Sequence, residues 1–132
     1  MTKEDLKKQL EQRNSFDRKI GVQINQFEEG NIVLELPVTP YLLNPINTVH
    51  GGVYAVLLDT VMGITARSFT DCSLVTVNLN INYLEPTQEG EKMVAKANII
   101  RHGTSLVTAE GEVRDSTGKL LAIATGTFKM MN

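Results

Sequence analysis

Apolar and polar positions along this chain follow two different rhythms. From Val53 to Ala66 apolar residues fall on every face of a helix, the pattern of an element that other structure must surround. Elsewhere the period is two, which marks strands. Ile32, Leu34, Leu36 and Val38 alternate within 31–38, and the turn Glu29-Gly30-Asn31 joins that strand to one over 21–27. Pro37 sets the strand near a sheet edge or at its own end. In VTVNLNINYL, 75–84, Val75, Val77, Leu79, Ile81 and Tyr83 point one way, and Thr76, Asn78, Asn80 and Asn82 the other. The first set predicts a core face; the second is polar enough to line a site or an interface. A strand over 91–101 turns at His102-Gly103 into 104–114, and Asp115-Ser116-Thr117-Gly118 turns into 119–130. At the start, Thr2 and Asp5 resemble a capping signal for a short polar helix, with Leu6 and Leu10 on one face and an end near Asn14. The long apolar helix opens at His50-Gly51-Gly52 and runs to about Phe69.

The predicted order is helix, two strands, apolar helix, four strands. Six strands enclose one apolar helix if they form a single, strongly curved antiparallel sheet wrapped around it. A parallel βαβ arrangement is disfavoured, because only one helix is available to cross over between strands. The fold class is therefore α+β, and 132 residues make one domain, 1–132, with one modest core.

Composition narrows the function. The chain carries 13 basic and 15 acidic residues, a net charge of -2, without a block of either sign, so nucleic acid is not an expected partner. Nothing at the N-terminus has the apolar core of a signal peptide, and the single apolar stretch is shorter than the roughly 20 residues that span a bilayer. A soluble cytoplasmic protein with no membrane partner is expected. Cys72 is the only cysteine and there are two histidines, which make neither an intrachain disulfide nor a metal-ligand pattern.

Asp59 breaks the apolar helix. A carboxylate moved into an apolar interior costs several kcal/mol unless it is paired or kept for chemistry; an ion pair with Arg67 or Arg101, or a hydrogen bond to a strand's polar face, is the structural alternative to a catalytic role. Gly51 and Gly52 open the helix, where unpaired N–H groups and the positive end of the macrodipole attract an oxyanion, although two glycines also serve a sharp turn. His50 is placed either to orient a substrate carbonyl or to cap the helix. Gly51 and Asp59, eight residues apart, are separated by about 12 Å along the axis at 1.5 Å per residue. One reacting group cannot touch both. If both act in one reaction, they come from different chains related by a two-fold axis.

Asn44, His50-Gly51-Gly52 and Asp59, spaced N-x5-HGG-x6-D, resemble the hotdog-fold acyl-CoA thioesterases of the phenylacetate-degradation (PaaI-like) group. The likeness spans nearly the whole chain: FDRKIGVQI resembles the family's approach to its first strand, and VTVNLNINYLEP, Gly90-Glu91, Arg101-His102-Gly103 and the closing ATGTF follow in the family's order. The resemblance implies the hotdog fold, a homodimer with composite sites often paired into a homotetramer, and hydrolysis of a coenzyme A thioester with no cofactor or metal, coenzyme A being part of the substrate. By position it implies that the Gly51 N–H polarises the thioester carbonyl, that the partner chain's Asp59 is base or nucleophile, and that Asn44 and His50 orient carbonyl or water. Thr76 falls where the family places a hydroxyl near the attacking water. Gly52, Arg101, Gly103, Thr104 and Ser105 are the substrate-binding candidates, with Arg67 and Lys129 further possibilities; Thr104 departs from the basic residue that many relatives carry after that glycine. The alternative is a non-catalytic acyl-CoA-binding or sensing module of the same fold. A dehydratase acting on acyl carrier protein would need a His and Glu placed differently. Gly63 and Ala66, small and late in the helix, either leave room for an acyl group or allow close strand packing.

Overall fold

The computed structural model describes residues 3–12 and 15–131. It contains α1 (Lys3–Leu10), α2 (Phe16–Ile20), β1 (Gln23–Glu28), β2 (Asn31–Pro37), α3 (Gly51–Arg67), β3 (Ser73–Tyr83), β4 (Lys92–His102), β5 (Leu106–Asp115) and β6 (Leu120–Met131). The expected cap Thr2 and helix end Asn14 lie outside the described residues. Leu6 and Leu10 are buried, so the polar α1 is held on the body of the protein by that one face.

α2 is an element that hydrophobic pattern did not predict. FDRKI is too short and too polar to show a helical stripe, but Ser15 caps it by accepting from the Arg18 N–H at 3.2 Å, and Gly21, at φ 106°, ends it in the left-handed region. The first strand consequently starts at Gln23, two residues later than the alternation suggested.

The six strands form one antiparallel sheet in the order β1-β2-β4-β5-β6-β3. α3 carries the chain from β2 to the far edge, where β3 pairs with β6 alone. Register shifts interrupt the β1–β2, β3–β6, β4–β5 and β5–β6 ladders; such bulges bend strands and increase twist, which curls the sheet around α3. Pro37 closes β2, a central strand, at its end, where its missing N–H costs least. On α3 the residues Leu57, Leu58, Val61 and Met62 are fully buried against the sheet. Enclosure is incomplete on the opposite side: Asp59, Thr60, Gly63 and Arg67 are only half-buried. An acid in an otherwise apolar helix is thus tolerated because its strip of the helix borders a cleft. Among the described residues no helix is long and apolar enough to cross a membrane.

The phase of β3 differs from strict alternation. A bulge between Thr76 and Asn78 inserts Val77 as an extra residue. Leu79 and Ile81 remain on the half-buried side, as expected, but upstream of the bulge it is Leu74 and Thr76 that face α3, while Val75 and Val77 are exposed. A single irregularity moves Thr76 from the polar outer face to the helix side of the sheet.

Candidate active site

Several clefts border α3, and Gly51 and Asp59 stand in different ones. At the N-terminus of the helix, His50 is the cap: its Nδ1 accepts from the Gly52 N–H at 2.9 Å. An accepting Nδ1 places the ring proton on Nε2. Gly52 leaves space for this contact, since a Cβ there would stand 3.1 Å from Nδ1. The His50 carbonyl accepts from the Val53 N–H at 2.9 Å. Among the described residues the Gly51 N–H meets no acceptor, so it is the donor left over at the positive end of the helix.

Gly51 is also held from the sheet. The Tyr83 hydroxyl donates to the Gly51 carbonyl at 2.8 Å, and the Tyr83 ring occupies the space where a Cβ on Gly51 would point, 3.3 Å from the hydroxyl oxygen and 3.4 Å from Cζ. Gly51 has no unusual φ; the glycine is explained by the approach of Tyr83. Tyr83 in turn stands edge-on to Tyr54, with ring centroids 5.5 Å apart. Buried Tyr54 is tied to the Glu85 carbonyl at 3.1 Å and, by a short hydrogen bond, to the fully buried Thr87. Burial raises the Tyr54 phenol pKa above 10.0, with the Thr87 hydrogen bond pulling the other way. These tyrosines and Gly51 border a cleft of about 340 Å³.

Asn44 works one step upstream. Its side-chain oxygen accepts from the Ile46 and Thr48 N–H groups at 3.0 and 3.1 Å, and its amide donates to the Thr48 hydroxyl at 2.8 Å. The side chain knits the loop that delivers His50, so its nearest partners are loop atoms.

Asp59 lies two turns along α3 in a different cleft, of about 240 Å³. The Thr76 hydroxyl donates to Asp59 Oδ1 at 2.7 Å. Among the described residues Asp59 is paired with Thr76 and not with Arg67 or Arg101. Arg67 Nη2 instead donates to Gln9 Oε1 at 3.2 Å, and burial lowers the pKa of its guanidinium. Beside Asp59, Thr60 donates to Asp17 at 2.6 Å, fastening α2 to the cleft rim. Ala66 is fully buried in the core, whereas Gly63 is half-buried and lines the cleft. The two small residues therefore have different roles.

Gly103, Thr104 and Ser105 form the β4–β5 turn and Arg101 stands near the end of β4 beside it, with Arg101, Thr104 and Ser105 exposed. The Gly103 N–H donates to Leu106 at 2.9 Å, and the Ser105 carbonyl accepts from Met130 at 2.9 Å. Met130 pairs with Leu74, so the turn lies at the Asp59–Thr76 end of the sheet. Among the described residues no three His, Cys, Asp or Glu side chains are gathered as metal ligands would be.

A donor without an acceptor and a carboxylate with a hydroxyl beside it are the parts that acyl transfer requires, set in two clefts. Sequence reasoning missed Tyr83 as a support of Gly51, since alternation marked it only as a core residue. The comparisons with known proteins agree with this chemistry. The sequence profile of the thioesterase superfamily matches residues 46–122, from the loop before His50 into β6. Human acyl-coenzyme A thioesterase 13 is 31% identical over 95% of this chain and 91% of its own. The fold is that of the Escherichia coli PaaI protein from the phenylacetic acid degradation operon, with a TM-score of 0.90 at 22% identity over 98% of this chain and 94% of that one. It is likewise that of a hypothetical thioesterase from Streptococcus pneumoniae solved with coenzyme A, with a TM-score of 0.80 at 22% identity over 85% and 90%. With its curved sheet, central helix and matched core segment, the chain belongs to the thioesterase superfamily and is a thioester hydrolase of the hotdog fold.

Proposed function

We propose that this enzyme hydrolyses acyl-coenzyme A thioesters in a dimer whose two sites each take Gly51 from one chain and Asp59 from the other. The observation that carries the reading is the separation of two half-sites in one chain: the spare Gly51 N–H is braced by Tyr83, and Asp59 is held by Thr76, about 12 Å further along the helix at 1.5 Å per residue. β3 has an unpaired outer edge and exposes Val75 and Val77. An uncovered edge of this length invites pairing. Two copies joined antiparallel through β3 set their α3 helices side by side in opposite directions, which brings Gly51 of one toward Asp59 of the other.

In this reading the thioester carbonyl oxygen accepts from the Gly51 N–H, and negative charge developing on it is stabilised by that donor and the helix dipole. Asp59 takes a proton from water as it attacks the carbonyl carbon, or attacks that carbon itself to give, on loss of the thiolate, an acyl-aspartyl anhydride that water then hydrolyses to the free acid; Thr76 fixes the carboxylate's orientation. Collapse of the tetrahedral intermediate breaks the C–S bond and releases the coenzyme A thiolate. Asn44 and His50 hold the loop and cap that aim Gly51. The turn of Gly103, Thr104 and Ser105, with Arg101 beside it, is the candidate seat for the nucleotide portion, supported by its place at the Asp59 end of the sheet and by the coenzyme A complex of the S. pneumoniae relative.

Free-thiol release from acetyl-, hexanoyl-, benzoyl- and palmitoyl-CoA tests the reading. Turnover of at least one, lost in Asp59→Asn, is expected. Tight binding of acyl-CoA without release of thiol from any would instead identify a binding module.

A further inference from the structure

We infer that the imidazole of His50 is a proton switch on the oxyanion donor: the Gly51 N–H is held for catalysis while His50 is neutral, and turnover falls as that one side chain takes up a proton. The inference rests on the reading above that Gly51 supplies the donor, and adds a control which that reading does not contain. His50 Nδ1 accepts from the Gly52 N–H at 2.9 Å, and only an unprotonated ring nitrogen has the lone pair to do so. Protonation makes both nitrogens donors, so no rotation of the ring restores an acceptor. The first turn of α3 then loses its side-chain cap, and a positive charge stands at the positive end of the helix dipole. Gly51, with its donor, lies between His50 and the residue that His50 caps.

The surroundings confine the effect to the ring. The His50 backbone is fixed independently, its N–H donating to the Leu42 carbonyl and its carbonyl accepting from the Val53 N–H, both at 2.9 Å. His50 is exposed, so the ring exchanges protons with water directly. Beside it lies a hollow of about 560 Å³ walled by Phe16 and Ile20 from α2, Tyr41 and Leu43 from the loop, and Val53 and Val56 from α3. Among the described residues Tyr41 is the only other titratable group in that wall, so no carboxylate there compensates an imidazolium. The charges of α2 lie outside it: Asp17 accepts from Thr60 in the Asp59 cleft, and Arg18 and Lys19 are exposed. On the β3 side of Gly51 stand Tyr83, whose hydroxyl is committed to the Gly51 carbonyl, and Glu85, paired with Lys119 at 3.8 Å. In the proposed dimer the partner chain's Asp59 also approaches this end. An imidazolium facing it favours the carboxylate and weakens it as a base, which acts in the same direction as the lost cap.

The chain has two histidines, His50 and His102, so both imidazoles can be followed by proton NMR and assigned with His102→Gln. Turnover of whichever acyl-CoA of the panel above reacts fastest is measured over the same pH series, from about 5 to 9, by loss of thioester absorbance. In the wild type kcat is expected to fall about tenfold, the size of a lost cap and an opposed charge together, across the interval in which the His50 signal moves, with KM constant. His102→Gln keeps that step. His50→Asn, whose side-chain oxygen caps a helix and does not titrate, loses it. Protonation of Asp59 also stops turnover, but that step follows no imidazole signal and persists in His50→Asn. A fall that tracks His102 or neither histidine, a step that survives unchanged in His50→Asn, or turnover that rises as His50 takes up its proton overturns the switch. If His50→Asn does not fold, coincidence or its absence in the wild type decides. A wild type inactive on the whole panel defeats the acyl-CoA reading, and a folded, active Gly51→Pro defeats the donor assignment; both are read at a single pH, and the switch falls with either.

Discussion

Replacing Tyr83 by phenylalanine removes one oxygen, and the structure sets the size of the effect. The hydroxyl donates to the Gly51 carbonyl at 2.8 Å, while the ring that abuts Gly51 and stands edge-on to Tyr54 remains. Tyr83 is 54% exposed, so water replaces the lost donor. The folded state should lose about 0.5 kcal/mol, the low end of the range for a net neutral hydrogen bond, and Tm should fall by under about 3 °C. Catalysis should suffer more than stability. Loss of a whole oxyanion donor costs about 3 kcal/mol, roughly a hundredfold. Here the donor survives but the residue bearing it is held by one anchor fewer. A penalty of about 1 kcal/mol, near fivefold in kcat, follows. Because the carbonyl needs the donor most as charge develops, KM should stay constant. Steady-state thiol release with a melting curve on the same preparation measures both quantities. A raised KM with normal kcat would refute the positioning role and make Tyr83 a substrate-contact residue; unchanged kinetics would remove it from the site.

Asp59→Asn should lower turnover by at least about a hundredfold with the fold intact, since Asp59 is half-buried and the amide is nearly isosteric but cannot act as base; circular dichroism and thiol release check the two halves of that statement. Thr87→Val should destabilise by about 1–2 kcal/mol in urea unfolding, because it strips a fully buried partner from Tyr54 and leaves the Glu85 carbonyl as its remaining one. Tyr54 also predicts a sign at high pH. Its folded pKa lies above 10.0, so above pH 10.0 the unfolded chain loses its proton first and stability falls as pH rises. Tyr54→Phe should remove that part of the alkaline loss, read from urea midpoints on either side of pH 10.0.

The regular part of this protein was legible because it obeys simple periods. The all-round apolarity of 53–66 and the two-residue rhythm of 31–38 each translate into one element, and a helix of that kind requires a sheet that curves. What was hidden depends on single residues and on long-range contact. α2 is specified by Ser15 and Gly21 at its ends, local capping chemistry that hydrophobic pattern does not register. Thr76 was assigned to the polar outer face because alternation was carried through Val77; the bulge that reverses the phase is set by pairing with β6. For the site, helix rise alone showed that Gly51 and Asp59 cannot share a reacting group within one chain. Why position 51 is glycine was not legible, since the answer lies 32 residues away in Tyr83. Conversely, the sequence left open whether His50 caps the helix, and the structure shows that it does, its Nδ1 accepting from the Gly52 N–H.

The composite site is tested most directly by mixing two inactive chains. Gly51→Pro deletes the N–H at the first helical position, where proline is well tolerated, and His50, at φ -59° and ψ 136°, already has the extended ψ favoured before proline. Half-exposed Tyr83 can shift to admit the ring. Asp59→Asn disables the other half-site. Equal amounts of the two chains, with exchange verified by tags of different mass, should give half mixed dimers. Each of these has one site with both lesions and one with none, so about a quarter of wild-type activity should return. Verified exchange with no recovered activity would contradict the shared site.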